Sequence, residues 1–167
     1  MTTTSYPYYQ RPSHLRTGVI NPILRFLVLR FGIDSSSEQD FMRILRVAGR
    51  KSGRLYDVPV RIVVMDGQRY ILSMLGEAQW VRNLRAIATA DLVVGKTVES
   101  IRPYEVLGDD KIRFFEWYCQ HPQLAMRARF VFGVNPRHLT SADLNRMVEQ
   151  FPVFRLASTS ASQRPLF

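Results

Sequence analysis

"VPVRIVVMDGQRYILSM", residues 58–74, decides the fold. Val58, Val60, Ile62 and Val64 recur at every second position, so they share one face of a strand. Asp66-Gly67 is the dipeptide that a two-residue hairpin favours, because both central residues need positive φ. "RYILSM", residues 69–74, is the returning strand.

Outward from this hairpin the pattern repeats. "FMRILRVAG" (41–49) reads as a preceding strand, and "FPVFRLA" (151–157) as a final one. "DLVVGKT" (91–97) and "ESIRPYEVL" (99–107) read as two more, joined near Val98, with Pro103 pointing to an edge or a bulge. Between them, Trp80, Val81, Leu84, Ile87 and Ala88 form one helical stripe. Arg82 and Arg85 lie off it on a solvated face, and Asn83 falls at its edge. Residues 109–132 read as helical with a break at His121-Pro122, and a further helix starts near Thr140–Asp143 and ends at Gln150. Asn21, Pro22 and Gly32 delimit a helix at 20–32. Sequential strands with tight turns predict an α+β domain whose sheet is mostly antiparallel and closed into a small barrel with flanking helices. The expected division is a flexible arm at 1–19, a domain at 20–158 and a disordered tail at 159–167.

A chain of 167 residues suffices for one domain with a real core. Lys and Arg outnumber Asp and Glu 23 to 14, a net charge of +9 that implies an anionic partner: nucleic acid, an acidic membrane face, or a phosphorylated or carboxylated small molecule. The single cysteine, Cys119, excludes an intramolecular disulfide and fits a reducing, cytoplasmic compartment. Its setting, "FFEWYCQ", is that of a buried apolar thiol. "NPILRFLVLRFG" (21–32) is interrupted by Arg25 and Arg30 and is shorter than the roughly 20 apolar residues a spanning helix needs. It is expected to cover the barrel or pocket mouth; the competing reading is peripheral contact with the inner face of a membrane.

Three scattered histidines, His14, His121 and His138, give no metal-ligand spacing. Neither a Walker loop nor a Gly-x-Ser-x-Gly elbow is present. What remains is Gly49-Arg50-Lys51-Ser52-Gly53. Two glycines let the backbone approach a ligand, Arg50 offers a planar fork, Lys51 a point charge and Ser52 a neutral donor. By itself this is either a solvated turn or a seat for an anion.

"LRVAGRKSGRLYDVPV" (45–60), the hairpin, Ser73 with Gly76, and "WVRNLRA" (80–86) together resemble the deazaflavin-dependent nitroreductase family, over about residues 41–106. The resemblance implies an FMN-binding-like split β-barrel, related to pyridoxamine-phosphate-oxidase-like barrels, and the coenzyme F420. It implies that Arg50, Lys51 and Ser52 grip the coenzyme's phosphate and oligoglutamate tail, with Tyr56, Asp57, Val58, Pro59, Val60 and Arg61 running alongside. Ser73, Met74, Leu75 and Gly76 would lie near the ring, as would Gln79, Trp80, Val81, Arg82 and Asn83. Two departures stand out: Ala78-Gln79 replaces the family's Asn-Pro, and Leu75 stands where many members carry Lys. The implied activity is hydride transfer from F420H2 to a small quinone, enone or nitro acceptor by a homodimer. Ser73, Tyr104 and Tyr118 are the candidate proton donors. The other aromatics, Phe114, Phe115, Trp117, Phe130 and Phe132, read as core rather than substrate wall. Two alternatives are a non-catalytic binding protein for F420, a flavin or a tetrapyrrole, and a basic module for nucleic acid or anionic membrane. No nucleic-acid motif supports the last.

Overall fold

The computed structural model describes residues 40–159 and the backbone of Arg164–Pro165. The expected arm and the helix at 20–32, with its lid and membrane readings, lie outside the described residues. Strand β1 (Asp40–Ala48) pairs with β2 (Leu55–Met65), and β2 with β3 (Gln68–Leu72). Helix α1 (Gln79–Ile87) leads to β4 (Ala90–Val94) and β5 (Thr97–Glu105). Helices α2 (Gly108–Gln120), α3 (Ala125–Phe132) and α4 (Ser141–Gln150) follow, then β6 (Val153–Ser158). The sheet runs β4-β1-β2-β3-β6-β5, and β4 also pairs with β5, so six antiparallel strands close on themselves. This is the split β-barrel the sequence predicted.

Two cores explain the strand patterns. Leu45, Val60, Ile62, Ile71, Leu92, Ile101 and Phe154 fill the barrel, and α1 stops it with Val81 and Leu84. A second core packs Val63, Met65, Tyr70 and Leu72 against Phe114, Phe115, Tyr118 and Cys119 of α2, Phe132 of α3 and Met147 of α4. Strand β2 is therefore buried on both faces in its second half. Burial pushes the Cys119 thiol up to about 11, which keeps it an inert core group, as its setting implied.

Some details differ from expectation. The β4–β5 turn falls at Gly95-Lys96, with Gly95 at φ +54, and Val98 is already paired with Val93 inside β5. Ala88 is not on the buried stripe; it ends α1 in the left-handed region (φ 55) and is exposed. Pro103 sits in β5, but β4 pairs only as far as Ile101, so Pro103 has a neighbour strand on one side alone. That is the local edge its missing N–H requires. Where a loose tail was expected, the backbone of Arg164–Pro165 forms a short strand, β7, against Thr97–Val98. The helix break at His121-Pro122 and the cap at Thr140 fall as read, the latter as a capping box with Asp143. Phe114, Phe115 and Phe132 are core, but Phe130 is 79% exposed and Tyr104 is 44% exposed.

Candidate functional site

The β1–β2 connection is a tight turn. The Gly49 N–H donates to the Arg54 carbonyl (2.8 Å), and the Gly53 N–H to the Gly49 carbonyl (2.8 Å). Gly53 lies at φ +67, which a side chain would strain. Gly49 is needed for space instead: a Cβ there would stand 2.8 Å from Tyr56 Cε2 and 2.9 Å from Ser52 Oγ. Ser52 Oγ accepts from the Arg54 N–H (3.3 Å). The turn thus lifts Arg50, Lys51 and Ser52 onto an exposed crest.

Arg50 is aimed at α1. Its backbone N–H (3.3 Å) and its Nη1 (3.0 Å) both donate to Asn83 Oδ1, and Nη1 also reaches Gln79 Oε1 (3.1 Å). Asn83 is buried in the middle of α1, and its amide oxygen is the acceptor that ties the cation turn to the helix. Among the described residues neither Lys51 nor Arg54 pairs with a carboxylate. Behind the crest, Arg46, Arg54, Leu55, Tyr56 and Asp57 line a shallow groove of about 440 Å³. Arg46 and Asp57 meet there as a bidentate ion pair (2.7 and 2.9 Å). Two uncompensated cations, hydroxyl and backbone donors and a half-exposed aromatic ring suit an anionic group carrying phosphate or carboxylate oxygens.

Along β2, Val58 and Val60 turn into the barrel, while Asp57, Pro59 and Arg61 alternate on the outer face. Arg61 is held by Asp40 (2.9 Å). Asp40 also accepts from Arg127 of α3 (2.9 Å). The β2–β3 ladder ends at Ile62↔Ile71, and one further step sets Arg61 across from Leu72, next to Ser73.

Ser73 is buried. Its N–H donates to the Pro152 carbonyl (2.9 Å) and its Oγ to the Gly76 carbonyl (2.6 Å). That proton is committed to shaping the 73–76 loop. Gly76 lies at φ +68, and a Cβ would come within 3.2 Å of the Gln150 carbonyl. Met74 packs against the helical core, and Leu75 is exposed. Trp80 is half-buried, its ring 6.1 Å from Phe154 on the barrel core. Val81, fully buried, can offer a ligand only its backbone, and the same holds for the buried Val60. Arg82 lies 3.9 Å from Glu77. Arg85 is not a merely solvated cation: it bridges Glu105 (2.6 and 2.7 Å) and Glu77 (2.6 Å), clamping the loop that precedes α1. Its hydrogen bonds to Glu105, then to Glu77, raise its pKa above the ordinary arginine value. Tyr104 is exposed under Arg155, and Tyr118 is buried.

The turn 49–54, the 73–78 loop and α1 therefore gather at one end of the barrel, with the outer face of β2 leading away. The Arg85 clamp and the Asp40 pairs escaped the sequence reading, because each joins segments far apart in the chain. Among the described residues no group of three or more His, Cys, Asp or Glu could hold a metal, and no helix is long and apolar enough to cross a membrane.

The family model described as F420H2-dependent quinone reductase matches residues 33–128, more than half of the chain. No curated protein sequence matches. Among solved structures, Atu2129 from Agrobacterium tumefaciens, a protein of unknown function, is similar in fold: TM-score 0.51 at 13% identity, over 93% of this chain and 61% of that one. An F420-H2 dependent reductase (FDR-A) aligns at TM-score 0.46 and 17% identity, over 70% of this chain and 93% of that one. HutZ, a heme storage protein from Vibrio cholerae, aligns at TM-score 0.47 and 14% identity, over 74% and 84%.

Proposed function

The chain belongs to the F420H2-dependent quinone reductase family, and from that premise we propose that it reduces a small quinone, enone or nitro acceptor, with the cation turn and the α1 edge as its coenzyme seat. The observation that carries the seat is the tie between Arg50 and Asn83 (3.0 Å), which fixes an anion-binding turn relative to the helix expected beside the ring. The donor set fits an F420 molecule: Lys51 and Arg54 are uncompensated, Ser52 is exposed, and Gly49 leaves the crest open.

Bound there, the reduced deazaflavin supplies a hydride and a proton, so that F420H2 and a quinone give F420 and a quinol. The protein's part is orientation and exclusion of water. Lys51, Arg54 and Ser52 hold the phosphate and tail; Arg50 holds them to α1. Pro59 provides an apolar floor on the outer face of β2, the half-exposed Tyr56 ring lies beside the crest, and the Ser73–Gly76 loop with Trp80 limits where the deazaflavin ring can lie. Ser73 keeps its own proton in the loop and shapes the floor rather than donating to the acceptor.

The test is to mix purified protein with F420H2 and a naphthoquinone and follow the return of oxidised deazaflavin absorbance. Steady oxidation that needs both protein and quinone is the expected result. Tight F420 binding without oxidation, across quinone, enone and nitro acceptors, would return the chain to a binding role. A narrower prediction concerns the crest. Gly49→Ala should push Tyr56 and Ser52 aside and weaken F420 binding about tenfold. Tyr56 is half-exposed and can swing away, so the melting temperature should move by only a few degrees. Unchanged affinity in that variant would take Tyr56 and Ser52 out of the seat.

A further inference from the structure

Among the described residues, two buried polar atoms in one cluster lack a hydrogen bond of good geometry: Asp40 Oδ1 and the Tyr118 hydroxyl, which the Arg127 guanidinium approaches. Asp40 uses its other oxygen to accept from both Arg61 and Arg127, at 2.9 Å each. Two guanidiniums face one carboxylate, so the cluster keeps an excess positive charge. Tyr118 is 0% exposed, and Arg127, Asp40 and Arg61 all lie within electrostatic reach of its hydroxyl. Burial raises its pKa, with the charge of Arg127 and a hydrogen bond from it pulling the other way, so at neutral pH the hydroxyl keeps its proton to donate. Buried polar groups in folded proteins are nearly always satisfied, so a pair of orphans calls for an explanation.

The surroundings suggest which one. The cluster is open at its rim, where the side chains of Arg61 and Arg127 are 22% and 27% exposed. It stands on the outer face of β2, at the end of the stretch that the coenzyme is expected to follow, and beside Leu72 and the Ser73 loop. From Asp57 to Arg61 that face spans about 13 Å.

We propose that Asp40, Arg61, Arg127 and Tyr118 form the polar subsite that receives one oxygen of the acceptor. A carbonyl oxygen there accepts from Tyr118 and from a guanidinium N–H. After reduction the same oxygen is a hydroxyl, and it donates to Asp40 Oδ1. One site thus offers donors to the oxidised acceptor and an unused acceptor atom to the reduced one, which suits a quinone better than an alkene or a nitro group. This inference rests on the reductase reading above, but it can be tested apart from it.

The decisive variant is Tyr118→Phe. It removes an unpaired hydroxyl and leaves the ring in its core, so a merely structural Tyr118 predicts a melting temperature equal to or above wild type and nothing else. The subsite predicts, in addition, that menadione binds about tenfold more weakly to the coenzyme-free variant, read by quenching of Trp117 and Trp80 fluorescence. It also predicts a KM for menadione raised about tenfold with F420 affinity unchanged. If the variant binds menadione as wild type does, or if neither binds, the subsite is overturned and the orphans hold ordinary water. If wild type binds menadione in a Tyr118-dependent way but never oxidises F420H2, the subsite stands and the reductase reading falls. If turnover is normal with an unchanged KM in Tyr118→Phe, the reductase reading stands and the subsite falls.

Discussion

Replacing Arg50 and Lys51 together by alanine is expected to weaken F420 binding about a hundredfold. A charge-assisted hydrogen bond contributes about 1.5–3 kcal/mol, and the low end applies on an exposed crest. Two such losses come to about 3 kcal/mol, and each 1.4 kcal/mol is tenfold in affinity. The two cations do not act alike. Arg50 already donates to Asn83 and Gln79, so its loss leaves the buried Asn83 amide oxygen with only the 3.3 Å backbone N–H of residue 50, a cost to the fold at or below the low end of the about 1–3 kcal/mol for an orphaned buried acceptor. Lys51 has no such attachment among the described residues. Lys51→Ala should therefore lower affinity about tenfold with no change in melting temperature, whereas Arg50→Ala should lower both. Fluorescence titration with F420, run beside thermal melting, separates the two. Equal affinity in wild type and double variant would remove the turn from the coenzyme site.

Trp80→Ala carries the second large effect, on rate. Trp80 leans on Phe154 of the barrel core at the start of α1, and the proposed seat gives it a second task, to limit ring position. Displacing the ring by about 1 Å can lower the rate on the order of a hundredfold. Turnover with a naphthoquinone should fall by that much, while F420 affinity, set mainly by the charged crest, stays within a few fold. Large-to-small replacement of a core aromatic costs about 3–5 kcal/mol, and half-burial places Trp80 at or below the low end. Trp80→Phe keeps most of the packing and serves as the control. A folded Trp80→Ala protein that turns over at the wild-type rate would reduce Trp80 to a packing residue.

Much of this geometry was legible because it is local. The period-2 runs and the Asp66-Gly67 turn define the hairpin, and β1–β2, β2–β3 and β4–β5 each pair across a short turn. The Arg46–Asp57 pair could have been read as well: a turn closed by Gly49 and Arg54 sets 46 opposite 57 by counting back three residues on each side. The remainder depends on contacts that sequence spacing does not reveal. Arg127 and Asp40 are 87 positions apart, and Arg85 and Glu105 are 20 apart. The outer burial of Val63 and Met65 arises only because α2, α3 and α4 fold back over β2 and β3. Phe130 misleads for a related reason. The short helix α3 turns Ala128 and Phe132 inward, so Met126 and Phe130, one turn apart, must face out.

The position of β6 has a consequence for synthesis. It is the last strand of the barrel to leave the ribosome, and it inserts between β3 and β5, which are complete some fifty to eighty residues earlier. Until Val153–Ser158 emerges, both of those strands expose unpaired backbone edges to any other nascent chain. Long-range pairing of this kind is slow and leaves partly folded chains prone to aggregation. A chain stalled or cut before Val153 keeps the whole cation turn and α1, yet its barrel stays open. Yield in cells should then depend on elongation and chaperone capacity more than on the strength of the finished core.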